Sequence, residues 1–93
     1  MNINQALNQY ALANSARNAG DALGAARLFL SAQRIAMKCR ARARARREVI
    51  DYGHAGAIHQ ANKVLEFETC HAARSEAGRV IAESSWLYIN QPC

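Results

Sequence analysis

The sequence predicts an all-α protein. Its one proline, Pro92, stands at the very end of the 93 residues, so the commonest helix breaker is missing from every interior position. Alanine, leucine, glutamine, glutamate and arginine, all good helix formers, dominate the rest. Glycine meets a capping or polar residue at two places, and there the chain is expected to turn. The length allows one small domain, 1–93, below the size of most catalytic folds.

The first helix is expected over about residues 3–18. It ends in Asn18-Ala19-Gly20-Asp21: Gly20 suits the left-handed position after a helix, and Asp21 suits the N-cap of the next, where a carboxylate accepts orphan backbone N–H bonds. The second helix is expected over about 22–51, up to the pair Gly53 and Gly56, and the third over about 56–88. Gly78 falls inside the third helix, where Ala77, Val80 and Ile81 keep the apolar pattern going.

Helix 2 carries a heptad-like seam at Ala25, Leu28, Ala32, Ile35 and Cys39, apolar at first and then basic at Arg42 and Arg46. Helix 3 answers with Ile58, Ala61, Leu65, Thr69 and Ala72. At about 1.5 Å per residue, helix 1 is roughly 25 Å long and the other two each exceed about 40 Å, so helix 1 covers only half of helix 2. The expected architecture is a small three-helix body with a protruding antiparallel two-helix arm that turns at Gly53. Leu7, Tyr10, Phe29, Val80 and Trp86 are the candidate core, and it must be thin, because much of the 51 % hydrophobic content is alanine. Counted from Gly53, Arg40 and Arg42 fall opposite Glu68 and Glu66.

Charge is unevenly spread. The formal +5 favours an acidic partner, and the first 47 residues hold nine basic residues against Asp21 alone. Most of these lie in residues 34–47, where arginine alternates with alanine. On a helix this spacing makes two stripes, Arg40, Arg44 and Arg47 on one side and Lys38, Arg42 and Arg46 roughly opposite. An arginine-rich helix of this kind enters a nucleic-acid groove or follows phosphates; the plainer reading pairs one stripe with Glu66 and Glu68 and leaves the other solvated. The interleaved alanines offer no aromatic platform for base stacking.

Chemistry-bearing motifs are sparse. His54, His59, His71 and Cys70 do not share a helix face at ligand spacing, so neither a metal nor another cofactor is expected. No glycine-rich phosphate loop, HExxH or GxSxG occurs, and no His–acid pair is placed to activate Cys39 or Cys70. Catalysis is therefore not expected. Three widely spaced cysteines without a signal-peptide pattern suit a reducing, cytoplasmic compartment, and Asn and Gln interrupt the longest uncharged stretch too often for it to cross a bilayer.

The segment from Tyr10 to Ala32 resembles one tetratricopeptide helix pair. Leu12, Gly20, Ala25, Phe29 and Ala32 stand where that motif has its leucine, turn glycine, first small residue, aromatic and second small residue. It departs from the pattern at Gln9 and Ala16, where bulky aromatics are expected, and in the lack of a following proline. The resemblance covers about a quarter of the chain and implies a helical hairpin and protein binding. By general type, a small motif-free chain also resembles the accessory proteins with which phages and mobile elements act on host machinery, which implies stoichiometric binding to a larger complex.

Together these features lead to an expected function: a non-catalytic helical protein that docks on a larger, nucleic-acid-handling host protein or nucleoprotein complex and inhibits or modulates it. Direct DNA or RNA binding through residues 34–47 is the alternative, and a structural homodimer is the third. The expected binding residues are Lys38, Arg40, Arg42, Arg44, Arg46 and Arg47, with Ile50, Ile58 and Phe67 as apolar arm positions that a two-helix arm cannot bury by itself.

Overall fold

A computed structural model describes residues 2–39 and 44–91. Every element among them is helical, in four helices rather than three: α1 (Ile3–Asn18), α2 (Ala22–Lys38), α3 (Arg44–Phe67) and α4 (His71–Ile89).

The first turn follows its side-chain chemistry. Asn2 caps α1, accepting from the Gln5 N–H at 3.1 Å, while the Gln5 side chain accepts from the Asn2 N–H at 3.0 Å. At the other end Gly20 adopts φ +85°, the left-handed geometry that glycine enters without a Cβ penalty. The N–H groups of Asp21 and Gly20 return to the carbonyls of Ala16 and Arg17, closing the helix in a Schellman motif. Asp21 then caps α2 by accepting from the Gly24 N–H at 2.9 Å. The hairpin implied by the tetratricopeptide resemblance is thus formed by α1 and α2, with Ala25, Phe29 and Ala32 buried, although Leu12 is 52 % exposed.

The expected turn at Gly53 does not occur, and the two-helix arm disappears with it. Gly53 and Gly56 lie inside α3, where their missing side chains let the helix come close to α2. A Cβ on Gly53 would stand 3.2 Å from the Phe29 carbonyl oxygen, and one on Gly56 would stand 2.8 Å from the Phe29 ring. These glycines serve packing, not chain reversal. Helix α2 instead ends at Lys38, with Cys39 extended at φ −76°, ψ 139°, and α3 starts at Arg44. The pairing of Arg40 and Arg42 with Glu68 and Glu66 depended on the Gly53 turn and loses its basis. Arg40 and Arg42 themselves lie outside the described residues. A further break, at Glu68-Thr69-Cys70, separates α3 from α4, so the expected third helix is two pieces.

Arginines from the following helix close both later helix ends. Arg46 donates to the carbonyls of Cys39 at 2.9 Å and Met37 at 3.4 Å, satisfying the end of α2. Arg74 does the same for α3, donating to the carbonyls of Leu65 and Glu68.

Helices α2 and α3 form a central pair, and α1 and α4 flank it without packing on each other. The result is a flat slab of 41 × 26 × 17 Å. One core cluster centres on Phe29, Leu30, Val64 and Val80 among six alanines, and the second joins Val49 and Ile50 to Ala6, Ala32 and Ala36. Of the expected core, Phe29 and Val80 are buried and Tyr10 is half-buried, but Leu7 is 39 % exposed and Trp86 63 % exposed. Ile50, expected as an exposed arm position, is core together with Val49 and Val64, so the apolar excess that called for a partner there is largely covered within the chain.

Candidate binding interface at the helix 2 to helix 3 junction

The basic residues gather where α2 ends and α3 begins. Lys38 is exposed on the last turn of α2. On the first turn of α3, Arg44 is 92 % exposed at its side chain and 4.0 Å from Glu48, while Arg47 is 3.4 Å from Asp51. Arg46 points elsewhere, into its capping role, and because α2 ends at Lys38 the single helix on which the two stripes were expected does not run through 34–47. Arg34 is taken up by an ion pair with Glu83. Ile50 is fully buried and Ile58 half-buried, so the first has no surface to offer a partner. Phe67 is 75 % exposed at the opposite end of the slab, beside a groove of about 600 Å³ lined by Asp21, Leu23, Lys63, Val64 and Cys70. The structure therefore places Lys38, Arg44 and Arg47 at one end of the slab and Phe67 at the other.

Two side-chain ladders fix the position of α4 against this end. Along α2, Arg27 pairs with Glu76 at 3.2 Å and Arg34 pairs with Glu83, both 49 positions apart, so the two helices run parallel in a constant register. Arg79 bridges the carboxylates, 2.6 Å from Glu76 and 3.1 Å from Glu83. Its hydrogen bond, followed by that of Arg27, holds the Glu76 carboxyl at about 2, below its ordinary 4.5, and Arg34 lowers Glu83 in the same way. The same offset sets Lys38 level with Leu87, one residue from Trp86.

Along α3 the partners run antiparallel. Arg47 donates to Gln91 Oε1 at 3.4 Å, Tyr88 donates its hydroxyl to Asp51 at 3.0 Å, and His54 meets Ser84 at 2.9 Å. The last turn of α4 thus lies between the end of α2 and the start of α3. Its outward residues are Trp86, 63 % exposed, and Ile89, 81 % exposed. Sequence reasoning assigned Trp86 to the core and passed over Ile89. The repeat that could have found them is the seven-residue spacing of Arg27 and Arg34 against that of Glu76 and Glu83.

Beneath this surface lies a buried polar chain. Gln33 Nε2 donates to the Ser84 carbonyl at 3.1 Å, which fixes its Oε1 as the acceptor of the Ser84 hydroxyl at 2.6 Å. The hydroxyl proton is thereby committed, and His54 must donate its Nδ1–H to Ser84 Oγ. A general base needs the reverse arrangement, with a ring lone pair facing the hydroxyl. His54 also stacks on Tyr88, with ring centroids 4.2 Å apart and planes within 9°. Among the described residues no group of three His, Cys, Asp or Glu side chains is placed to hold a metal. Cys39 is buried and donates to the Ile35 carbonyl at 3.2 Å, Cys70 is exposed, and Cys93 lies outside the described residues.

His54 makes stability depend on pH. Burial lowers its pKa below the ordinary 6.5, against smaller opposing contributions from Ser84 and Asp51. A base with a depressed folded-state pKa binds its proton more readily when unfolded, so its contribution is complete above the ordinary value and declines as pH falls through it. The midpoint of urea unfolding is expected to fall between pH 7.5 and 5.5. In His54→Asn, whose amide reaches for the same hydroxyl without titrating, that fall should shrink. An unchanged pH profile in the variant would remove His54 as its source. The Glu76 and Glu83 pairs act in a lower window, losing their contribution as pH drops below about 4.5.

Compared with known proteins, the chain matches no family model, no curated protein and no solved structure.

Proposed function

We propose that this chain is a non-catalytic helical binding module that docks with its basic end on an acidic surface of a larger, nucleic-acid-handling protein or nucleoprotein complex, and so modulates it. The observation that carries this reading is the convergence of exposed Lys38, Arg44 and Arg47 at one end of the slab. Cations concentrated in this way attract an acidic partner and speed encounter with it. The commitment of the Ser84 proton to Gln33 supports a role without catalysis.

The test compares the full chain with its Arg44→Glu/Arg47→Glu variant against fluorescent polyanions: polyglutamate, single-stranded and duplex oligonucleotides. Binding by the natural chain and marked weakening in the variant are the expected results. A chain that binds none of these polyanions, or a variant of unchanged affinity, would overturn the reading.

A homodimer is the second reading, and α1 favours it. This helix buries only Ala6 and Ala13, while Leu7 and Leu12 face outward on a segment that carries no charge before Arg17. Sedimentation equilibrium at micromolar concentration should give a dimer that Leu12→Glu dissociates. A monomer at those concentrations would exclude it.

A further inference from the structure

The basic end carries a feature that docking by charge alone does not use. Trp86 and Ile89 stand outward on the last turn of α4, more than half in water, at the one end where cations collect. The α2–α4 register sets Lys38 level with the last turn of α4, and the contacts of Arg47 with Gln91 and of Asp51 with Tyr88 set the first turn of α3 against the same turn. The exposed indole thus stands at the same end as Lys38, Arg44 and Arg47, on the face of α4 turned away from Ser84 and the core. We infer that the acidic element met by this end is a single strand of nucleic acid, its phosphates held by Lys38, Arg44 and Arg47 while a base stacks on Trp86. This inference rests on the reading of the basic end as the docking surface and names its ligand.

The chemistry selects a single strand over a duplex. To read a duplex groove, arginines must be presented on a helix or ribbon that fits inside it. Here α2 stops at Lys38 and α3 starts at Arg44, so no continuous helix presents the cations. A single strand needs only a basic track and an aromatic face, because its bases are free to turn out and stack. The indole serves any base, which makes the contact tolerant of sequence. An acidic protein face would satisfy the cations but leave the exposed indole without a flat partner. On α3, Glu48 lies 4.0 Å from Arg44 and Asp51 lies 3.4 Å from Arg47.

Trp86 is the chain's only tryptophan, so its emission reports the contact directly. The experiment titrates the full chain with an oligothymidylate of about twenty nucleotides, with polyglutamate and with phosphatidylserine vesicles, following fluorescence and anisotropy. The expected result is strong quenching by the oligonucleotide. Affinity should fall with a log–log salt slope of about −2, as three phosphate contacts, at Lys38, Arg44 and Arg47, require. Trp86→Phe should keep most of the affinity, and Trp86→Ala should lose about five- to a hundredfold, with helicity by circular dichroism unchanged in both.

Oligonucleotide binding with unaltered emission and an inert Trp86→Ala would overturn the stacking contact and leave the docking reading standing. Binding to polyglutamate without binding to the oligonucleotide would assign an acidic protein partner and overturn the inference alone. A blue shift on vesicles without oligonucleotide binding would assign a lipid surface and overturn it too. Failure to bind any of the three would sink the inference and the docking reading together.

Discussion

Phe29→Ala is expected to destabilise the fold by about 3–5 kcal/mol, the range for removing a fully buried aromatic ring. Phe29 is only 1 % exposed and is the single aromatic side chain buried to that degree among the described residues. Its ring occupies the space left by the side chain that Gly56 lacks, its backbone carbonyl faces Gly53, and the ring meets Tyr10 edge-on at a centroid distance of 5.6 Å. The surrounding positions are mostly alanines, whose side chains are too short to swing into the cavity. A domain of this size has about 5–15 kcal/mol in total, so the loss is a large fraction of its stability. At about 4–8 °C per kcal/mol, Tm should fall by roughly 12–40 °C in a thermal melt followed by circular dichroism. A shift of a few degrees would mean that α2 and α3 close over the gap, and that the glycine-lined contact is looser than its geometry.

The position of that ring also explains where the sequence was legible and where it was not. Gly20 and Asp21 act locally, one through its backbone freedom and the other through a cap, so the expected boundaries of the first helix and the start of the second agree with the structure. Gly53 and Gly56 carry the same local signal for a different reason. Their role depends on Phe29, more than twenty positions away, and a reading along the chain has no access to that contact. The actual end of α2 falls before Arg40-Ala41-Arg42-Ala43, all good helix formers, and Arg46 supplies its cap from the next helix. Misplacing one turn created the arm, lent Ile50 a surface it does not have, and fused the arginines into one helix.

The candidate interface was legible by halves for a related reason. Charge is a property of composition, and Lys38, Arg44 and Arg47 stand out in any reading of it. Trp86 joins them only through a register set by pairs 49 positions apart, Arg27 with Glu76 and Arg34 with Glu83. Those four residues look like ordinary surface charge until the helices are placed. An isolated tryptophan in an apolar helix is ordinarily taken for core, and the Ser84, Val80 and Ala77 face of α4 fills the core without it.

Reversing two charges, Arg44→Glu with Arg47→Glu, should separate folding from binding. Both arginines are exposed; each lies near a carboxylate one turn along its own helix, at 4.0 and 3.4 Å, and Arg47 also donates to Gln91 at 3.4 Å. Exposed pairs of this kind contribute at most about 1 kcal/mol, so the urea midpoint should move little beyond the mild repulsion the new glutamates meet at Glu48 and Asp51. Arg46, which closes α2, is untouched. Binding responds otherwise, because two phosphate contacts vanish and two repulsive charges replace them. For a single strand each contact accounts for about 0.7 in the log–log salt slope, so the slope should flatten by about 1.4 and the affinity at low salt should fall at least about tenfold. If the variant unfolds and binding tracks only the folded fraction, the outward arginines are structural and the interface lies elsewhere. If slope and affinity are both unchanged in a folded variant, Arg44 and Arg47 are a solvated face, and the exposed Phe67 beside its groove at the opposite end becomes the surface to test.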